Sequence, residues 1–513
     1  MSNNEENDAE LMELLGKLNF EKLKSLRKKV NWESKEERRE FLKELSSLVK
    51  NWTGPYPDLR KIFRPEEIDW ILSEDVRNLD RLGLTLDRVS IITFVINCGY
   101  RDEPELDKDG KPILRRTTAL HIAGRLSLTY VLSVYLARVY DRFDANNIDD
   151  VGCTHFHVVC THGYIDFVER FLESGQDPNL LLESTGESPL HLALKWGHND
   201  VAMLLLKKGA NVNLANRDGI TPLHLISDRD FYYENDDNTF FKEFFKFIKD
   251  QHQTIQIEAK DKWGRTPLQR AVTSFMPDLV DACFDLGADL SNFVFPTERQ
   301  LDKRFMFLFD DYVDEFKLRL VSGALAAFEC LKKRGYELER SDALTIMKFF
   351  LAYKVFRKLE DHEKEFVVED SVDRKKCWYD EEEFTSKAQN TMINPNLSLY
   401  ELVRLRPGEA EKRLTYGDCF EFARSDDFLL MPDYAKENDT CNVYLNEILA
   451  RRFCRRWALE PFMEMTSHRL PILCCEMILE NLKNEDLCRV CFAVTDHDIS
   501  SINEKRVIVM KLK

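Results

Sequence analysis

Between Cys153 and His162 the chain reads CTHFHVVCTH, two cysteines and three histidines within ten residues. Thiolate and imidazole are common zinc ligands, so the first question is whether these groups could close around one ion. Helical spacing speaks against it. His157 and Cys160 can share a helix face, but His162 lies five residues beyond His157, about 140° further round the wheel, and Cys153 falls in the loop ahead of the helix. The five groups do not converge, and no metal is expected.

What positions these residues is a recurring element. The same register returns as TALH at Thr118 to His121, THFH at Thr154 to His157, SPLH at Ser188 to His191, TPLH at Thr221 to His224 and TPLQ at Thr266 to Gln269, at intervals of 36, 34, 33 and 45 residues. Thr or Ser caps a helix, proline is tolerated in the first turn because that amide needs no partner, and leucine enters the core. The histidine is then placed to hydrogen-bond backbone in the neighbouring turn. In the copy ESPLHLALKWGHNDVAMLLLKKGANVN a first helix starts at Ser188-Pro189 and ends at Gly197. Val201 to Leu206 form a second helix, which Gly209 stops. In this register His155 stands where proline usually does, Cys160 at the core position of Leu194, and His162 at that of Trp196, just before the turn glycine Gly163.

A period near 33 residues with a Thr-Pro-Leu-His core is the ankyrin signature. It predicts an all-α solenoid of helix pairs with short β-turn fingers, in which each repeat leaves an apolar face open until it is stacked. Leu11, Leu14, Leu15, Leu18, Leu26 and Val30, then Phe41, Leu45 and Leu48, predict two helices ended by Pro55 and Pro57, a cap for the first repeat. Residues 82–100 look like the second half of a leading partial repeat. The long interval carries an insertion near 228–240, around DFYYENDDN. Phe231, Tyr232 and Tyr233 there, with Trp263 at the tip of DKWGRTPL, are candidate anchors for a bound protein, or else aromatics tucked back onto the solenoid. After Ala288 the motif fades, although FKLRLVSGALAAFECLKKRGYEL keeps the pattern of a degenerate helix pair, with Gly323 and Gly335 at its turns. The charged stretch from Leu359 to Phe384 reads as a solvated loop.

With 73 Lys and Arg against 90 Asp and Glu the formal charge is −17, and the only basic run of note is Arg451, Arg452, Arg455 and Arg456. Nucleic acid and acidic membrane surfaces are therefore not expected partners. The acidic start MSNNEENDAELMEL has no signal-peptide core, and no apolar run approaches the length of a membrane span. The 13 cysteines are scattered without framework spacing, as reduced thiols would be. A cytoplasmic location is expected, with the nucleus open.

The segment LPILCCEMILENLKNEDLCRV, Leu470 to Val490, predicts a short amphipathic helix pair: Cys475, Ile478, Leu479 and Leu482 repeat at three and four residues, Asn484 caps the next helix, and Leu487 and Val490 lie on its buried face. It could be core or a docking surface. Leu470, Pro471, Ile478, Leu482, Asp486 and Leu487 also sit at the spacing of an F-box, which opens with Leu-Pro, has isoleucine eight residues after the leucine, leucine four later and then Asp-Leu. An ankyrin array with such an end resembles the PRANC proteins, poxvirus-type ankyrin proteins also found in parasitoid wasps, over roughly residues 82–495. Departures are Leu473, where many F-boxes have glutamate, and a tail, TDHDISSINEKRVIVMKLK, with no clear third helix.

The resemblance implies that Leu470, Pro471, Ile478, Leu482 and Leu487 contact a Skp-type adaptor of a cullin-RING ubiquitin ligase, that Asp486 orients the helix junction, and that the ankyrin stack selects a protein target. The chain then divides into an N-terminal helical cap (1–80), ankyrin repeats (81–297), degenerate helical repeats with an acidic loop (298–397), a PRANC or F-box-like domain (398–495) and a tail (496–513). Such a substrate receptor works by proximity and needs neither catalytic residues nor a cofactor. No nucleophile-elbow, phosphate-loop or metalloprotease pattern is present to suggest otherwise. The competing reading is an ankyrin scaffold that sequesters a signalling protein, its C-terminal helices serving only as a cap. Burial of Ile478 and Leu482 against the solenoid would favour it.

Overall fold

The computed structural model describes residues 2–82, 90–110, 112–128, 135–227, 239–251, 254–305, 314–356, 382–429 and 436–493. The chain divides into two compact units, Met1–Ile226 with Asp237–Gln253, and Ser227–Asp236 with Thr254–Lys513. The fold is helical, and the motif-bearing segments fold as helix pairs.

The first unit opens with helices Ser2–Lys29 and Lys35–Lys50, the latter capped by Ser34, whose side chain accepts from the Glu37 amide. Phe41 and Leu45 of the apolar stripes are buried, but Leu14 and Leu18 face solvent. Sequence reading missed a third helix, Pro65–Leu82, although proline at its first position with Glu66 and Glu67 in its first turn is a strong start. It packs on helices Ser90–Asn97 and Ala119–Arg125. Glu67, almost fully buried, ties this helix back to the first by accepting from Arg27 Nε and Nη2 at 3.1 and 3.0 Å.

Helices His155–Thr161 and Ile165–Glu173, then Pro189–Lys195 and Asn199–Lys207, form two complete repeats stacked side by side. Gly163 turns the chain between the first pair at φ +76°, and a Cβ there would stand 2.4 Å from the His198 ring. Both the left-handed conformation and the close neighbour require glycine.

In the second unit, helices Pro267–Thr273 and Pro277–Asp285 make the last motif-bearing repeat. The expected turn at Gly323 is absent: Asp314–Lys333 is one helix of 20 residues. Its glycine serves close packing instead, since an added Cβ would lie 2.6 Å from the Phe275 carbonyl oxygen and 2.9 Å from the Phe420 ring. Gly335, at φ +96°, does end that helix. Strands Met392–Asn394 and Leu397–Ser398 form a small antiparallel hairpin, and a 30-residue helix, Lys436–Met465, supports the two short C-terminal helices, Ile472–Leu479 and Asn484–Ala493.

Candidate functional site

Each repeat is fastened by one cap and one ring. Thr154 Oγ1 accepts from the His157 amide at 3.2 Å, and His157 Nδ1 accepts from the Thr154 amide at 3.2 Å. That fixes the tautomer, because Nε2 must then carry the proton it donates to the Leu180 carbonyl of the next finger at 3.0 Å. Ser188 and His191 repeat the arrangement, with Nε2 reaching Ile220 O at 2.9 Å, and Thr221 with His224 and Thr118 with His121 repeat its cap half. At Thr266 a glutamine does the same work, Gln269 Nε2 reaching Val294 O at 3.4 Å.

His155, in place of proline, is buried and joins Thr118 Oγ1 of the preceding repeat at 2.8 Å, its ring 4.5 Å from that of His121. Burial pushes the His121 imidazole down to about 4 and holds those of His155, His157 and His191 below the ordinary range, so these rings stay neutral. The ring nitrogens of His157 are thus committed to the cap and the next finger, while Cys160 is sealed in the core.

The fingers carry a second device that sequence reading missed. Asp149, Asn216 and Asp261 each lie five residues before a cap threonine in the pattern Asp/Asn-x-x-Gly-x-Thr. Each folds its finger by accepting amides two and four residues on: Asp149 from Val151 and Cys153 at 3.0 and 2.7 Å, Asn216 from Asp218 and Ile220 at 2.9 and 3.0 Å, Asp261 from Trp263 and Arg265 at 2.9 Å each. The recurrence with the cap was readable in the sequence. In the first and last of these fingers the residue before the glycine, Val151 or Trp263, is exposed at the fingertip.

Trp263 occupies such a tip, 57% exposed, with Lys262 Nζ 4.4 Å and the Arg265 guanidinium 4.8 Å from its ring centre. Val151 holds the same place in the finger three motifs earlier and is also exposed. Trp196, at the end of the first helix of its repeat, is 52% exposed and was not singled out from sequence. Phe231, Tyr232 and Tyr233 lie outside the described residues.

At the C-terminal end, helix Ile472–Leu479 is apolar on two faces and covered on one. Cys475 and Leu479 are buried, whereas Ile472, Leu473, Met477 and Ile478 are 51%, 67%, 65% and 40% exposed, beside exposed Pro471. Leu470 and Leu482 are half-buried. Leu487 is fully buried, packed among Cys488, Cys491 and Phe492 in the face that meets the long helix, which removes it from any adaptor-contacting surface.

The junction between the two short helices is held from below. Arg451 Nη1 donates to Leu482 O at 2.8 Å and Nη2 donates to Glu480 O; Arg455 pairs with Glu411 at 3.0 Å and Glu480 at 3.6 Å. Asp486, which the resemblance casts as orienting this junction, instead accepts from Arg489 of its own helix at 2.7 Å. Asn484 does not act as the expected cap either, since its amide donates to Glu447 O of the long helix at 2.8 Å.

No helix among the described residues is long and apolar enough to cross a membrane. Residues 156–233 match the family model described as ankyrin repeats (3 copies). The chain is similar to human neurogenic locus notch homolog protein 4, 33% identical over 121 residues, which are 24% of this chain and 6% of that protein. It is similar to an ankyrin repeat-containing protein of Schizosaccharomyces pombe, 36% identical over 66 residues, 13% of this chain and 31% of that one. A third likeness is to the E3 ubiquitin-protein ligase KEG of Arabidopsis thaliana, 29% identical over 137 residues, 26% of this chain and 8% of the ligase. The chain thus covers under a third of each of these relatives. It carries ankyrin repeats, a module of protein–protein interaction.

Proposed function

We propose that the chain is a non-catalytic substrate receptor: its ankyrin fingertips and first helices select a protein target, and its C-terminal helix pair docks a Skp-type adaptor of a cullin-RING ubiquitin ligase. The observation that carries the second half is the uncovered face of helix Ile472–Leu479. A helix apolar on two faces suits burial on both, and of this one only Cys475 and Leu479 are buried. The adaptor surface is Leu470, Pro471, Ile478 and Leu482 with Ile472, Leu473 and Met477 added and Leu487 withdrawn. On the target side Trp196 and Trp263 are the exposed aromatic anchors.

Reconstitution tests it. Tagged full-length chain, mixed with purified Skp-type adaptor and cullin, retains both on affinity resin, and a Leu473→Asp, Ile478→Asp double variant retains neither. Retention of adaptor and cullin by the double variant would overturn the assigned surface, and retention by neither protein leaves the scaffold reading in its place.

A further inference from the structure

A cavity of about 770 Å³ opens between helices Lys35–Lys50 and Pro65–Leu82 in the first unit. Leu42, Trp70, Leu79 and Ile91 give it apolar walls, and Asp75 lines it as well. Asp75 is only 7% exposed; the Ile92 amide donates to its carboxyl, yet Oδ2 makes no hydrogen bond. A buried carboxylate oxygen without a partner is costly, and a native fold keeps one where something else completes it.

The surroundings say which charge is missing. The facing helix brings Glu36, Arg39, Glu40, Lys43 and Lys50, Asp75's own helix brings Glu74, and helix Ser90–Asn97 brings no charged residue. Lys43 pairs with Glu40 at 2.7 Å and Glu74 with Arg77 at 2.6 Å, and among the described residues no cation pairs with Asp75. We propose that this cavity is a binding site for an alkylammonium or guanidinium group on an aliphatic stem, the chemistry of a lysine or arginine side chain, with Asp75 as its counter-charge. The stem would run along Leu42, Trp70 and Leu79 to reach the carboxylate.

Such binding is linked to a proton. Burial raises the empty site's Asp75 carboxyl to about 7, so at lower pH it is neutral and a cation must displace its proton. The binding-competent carboxylate rises from about a tenth of molecules at pH 6 to about nine-tenths at pH 8, and affinity rises about tenfold with it.

The test is calorimetric titration of the full-length chain with N-acetyl-Ala-Lys-Ala-amide, its norleucine analogue, and cadaverine, at pH 6 and pH 8. The expected result is lysine-peptide binding at least tenfold tighter than norleucine, about tenfold tighter at pH 8 than at pH 6, with both differences lost in Asp75→Asn. Tighter binding of cadaverine than of the lysine peptide would make the source a free amine rather than a partner chain. Proton release, read from binding heats in two buffers of different ionisation enthalpy at pH 6, tests the linkage on the unaltered protein even where Asp75→Asn folds poorly. Equal binding of the lysine and norleucine peptides, pH-independent affinity, or no binding of either cation at millimolar concentration overturns the proposal.

Discussion

The imidazole of His157 is held neutral between its own cap and the next finger, and that fixes how the repeats respond to acid. The unfolded chain protonates this ring near 6.5, the folded one only at lower pH because of burial. Its contribution is therefore complete above about 6.5 and is lost as pH falls through the gap between the two values. Gln269 shows that glutamine can make the same cap without titrating. We expect His157→Gln to stay within about 1 kcal/mol of the native chain at pH 7.5 and to lose less stability between pH 6.5 and 5, by urea denaturation. Thr154→Ala, which removes the acceptor for the His157 amide, should cost about 1 kcal/mol at any pH in the same experiment. At this scale the caps were legible because Thr, Pro, Leu and His recur at fixed spacing. The finger aspartates recur as well and were passed over. The burial of Leu487 could not be read, since it depends on a helix more than twenty residues upstream, whereas the pairing of Asp486 with Arg489, three residues on, was legible and was passed over.

Helices reveal a different limit. Periodicity located both helices of the best repeats, yet it split Asp314–Lys333 at Gly323, because an isolated glycine reads as a turn when nothing shows what packs against it. Gly323→Ala separates the two meanings. On helix propensity alone it would stabilise by up to about 1 kcal/mol; against the Phe275 carbonyl and the Phe420 ring it should destabilise by about 1–3 kcal/mol, measured as a lower urea midpoint. Helix Ile472–Leu479 is short, and the junction after it is bonded by Arg451. Removing that guanidinium frees the Leu482 and Glu480 carbonyls. Arg451→Ala should therefore speed amide hydrogen exchange in residues 472–483 at least tenfold while leaving the finger amides of Asp149 and Asn216 unchanged. Unaltered exchange in 472–483 would mean that packing of Cys475 and Leu479 alone holds the helix.

Over the whole molecule, the repeating class was legible because a solenoid writes its fold as local repetition, each copy contacting its neighbours. The two-unit division was not, since it falls within the stretch read as one array of repeats, after the fourth motif. The surfaces proposed for binding are exposed tryptophans at a fingertip and a helix end, and one exposed apolar helix face. The most direct measurement is an equilibrium titration, by calorimetry, of the purified full-length chain against a purified Skp-type adaptor. One-to-one binding is expected, weakened at least a hundredfold by Leu473→Asp with Ile478→Asp and with little change in melting temperature, because Leu473 is 67% and Ile478 40% exposed. Binding of undiminished strength by that variant, or none by the native chain at tens of micromolar, would contradict it.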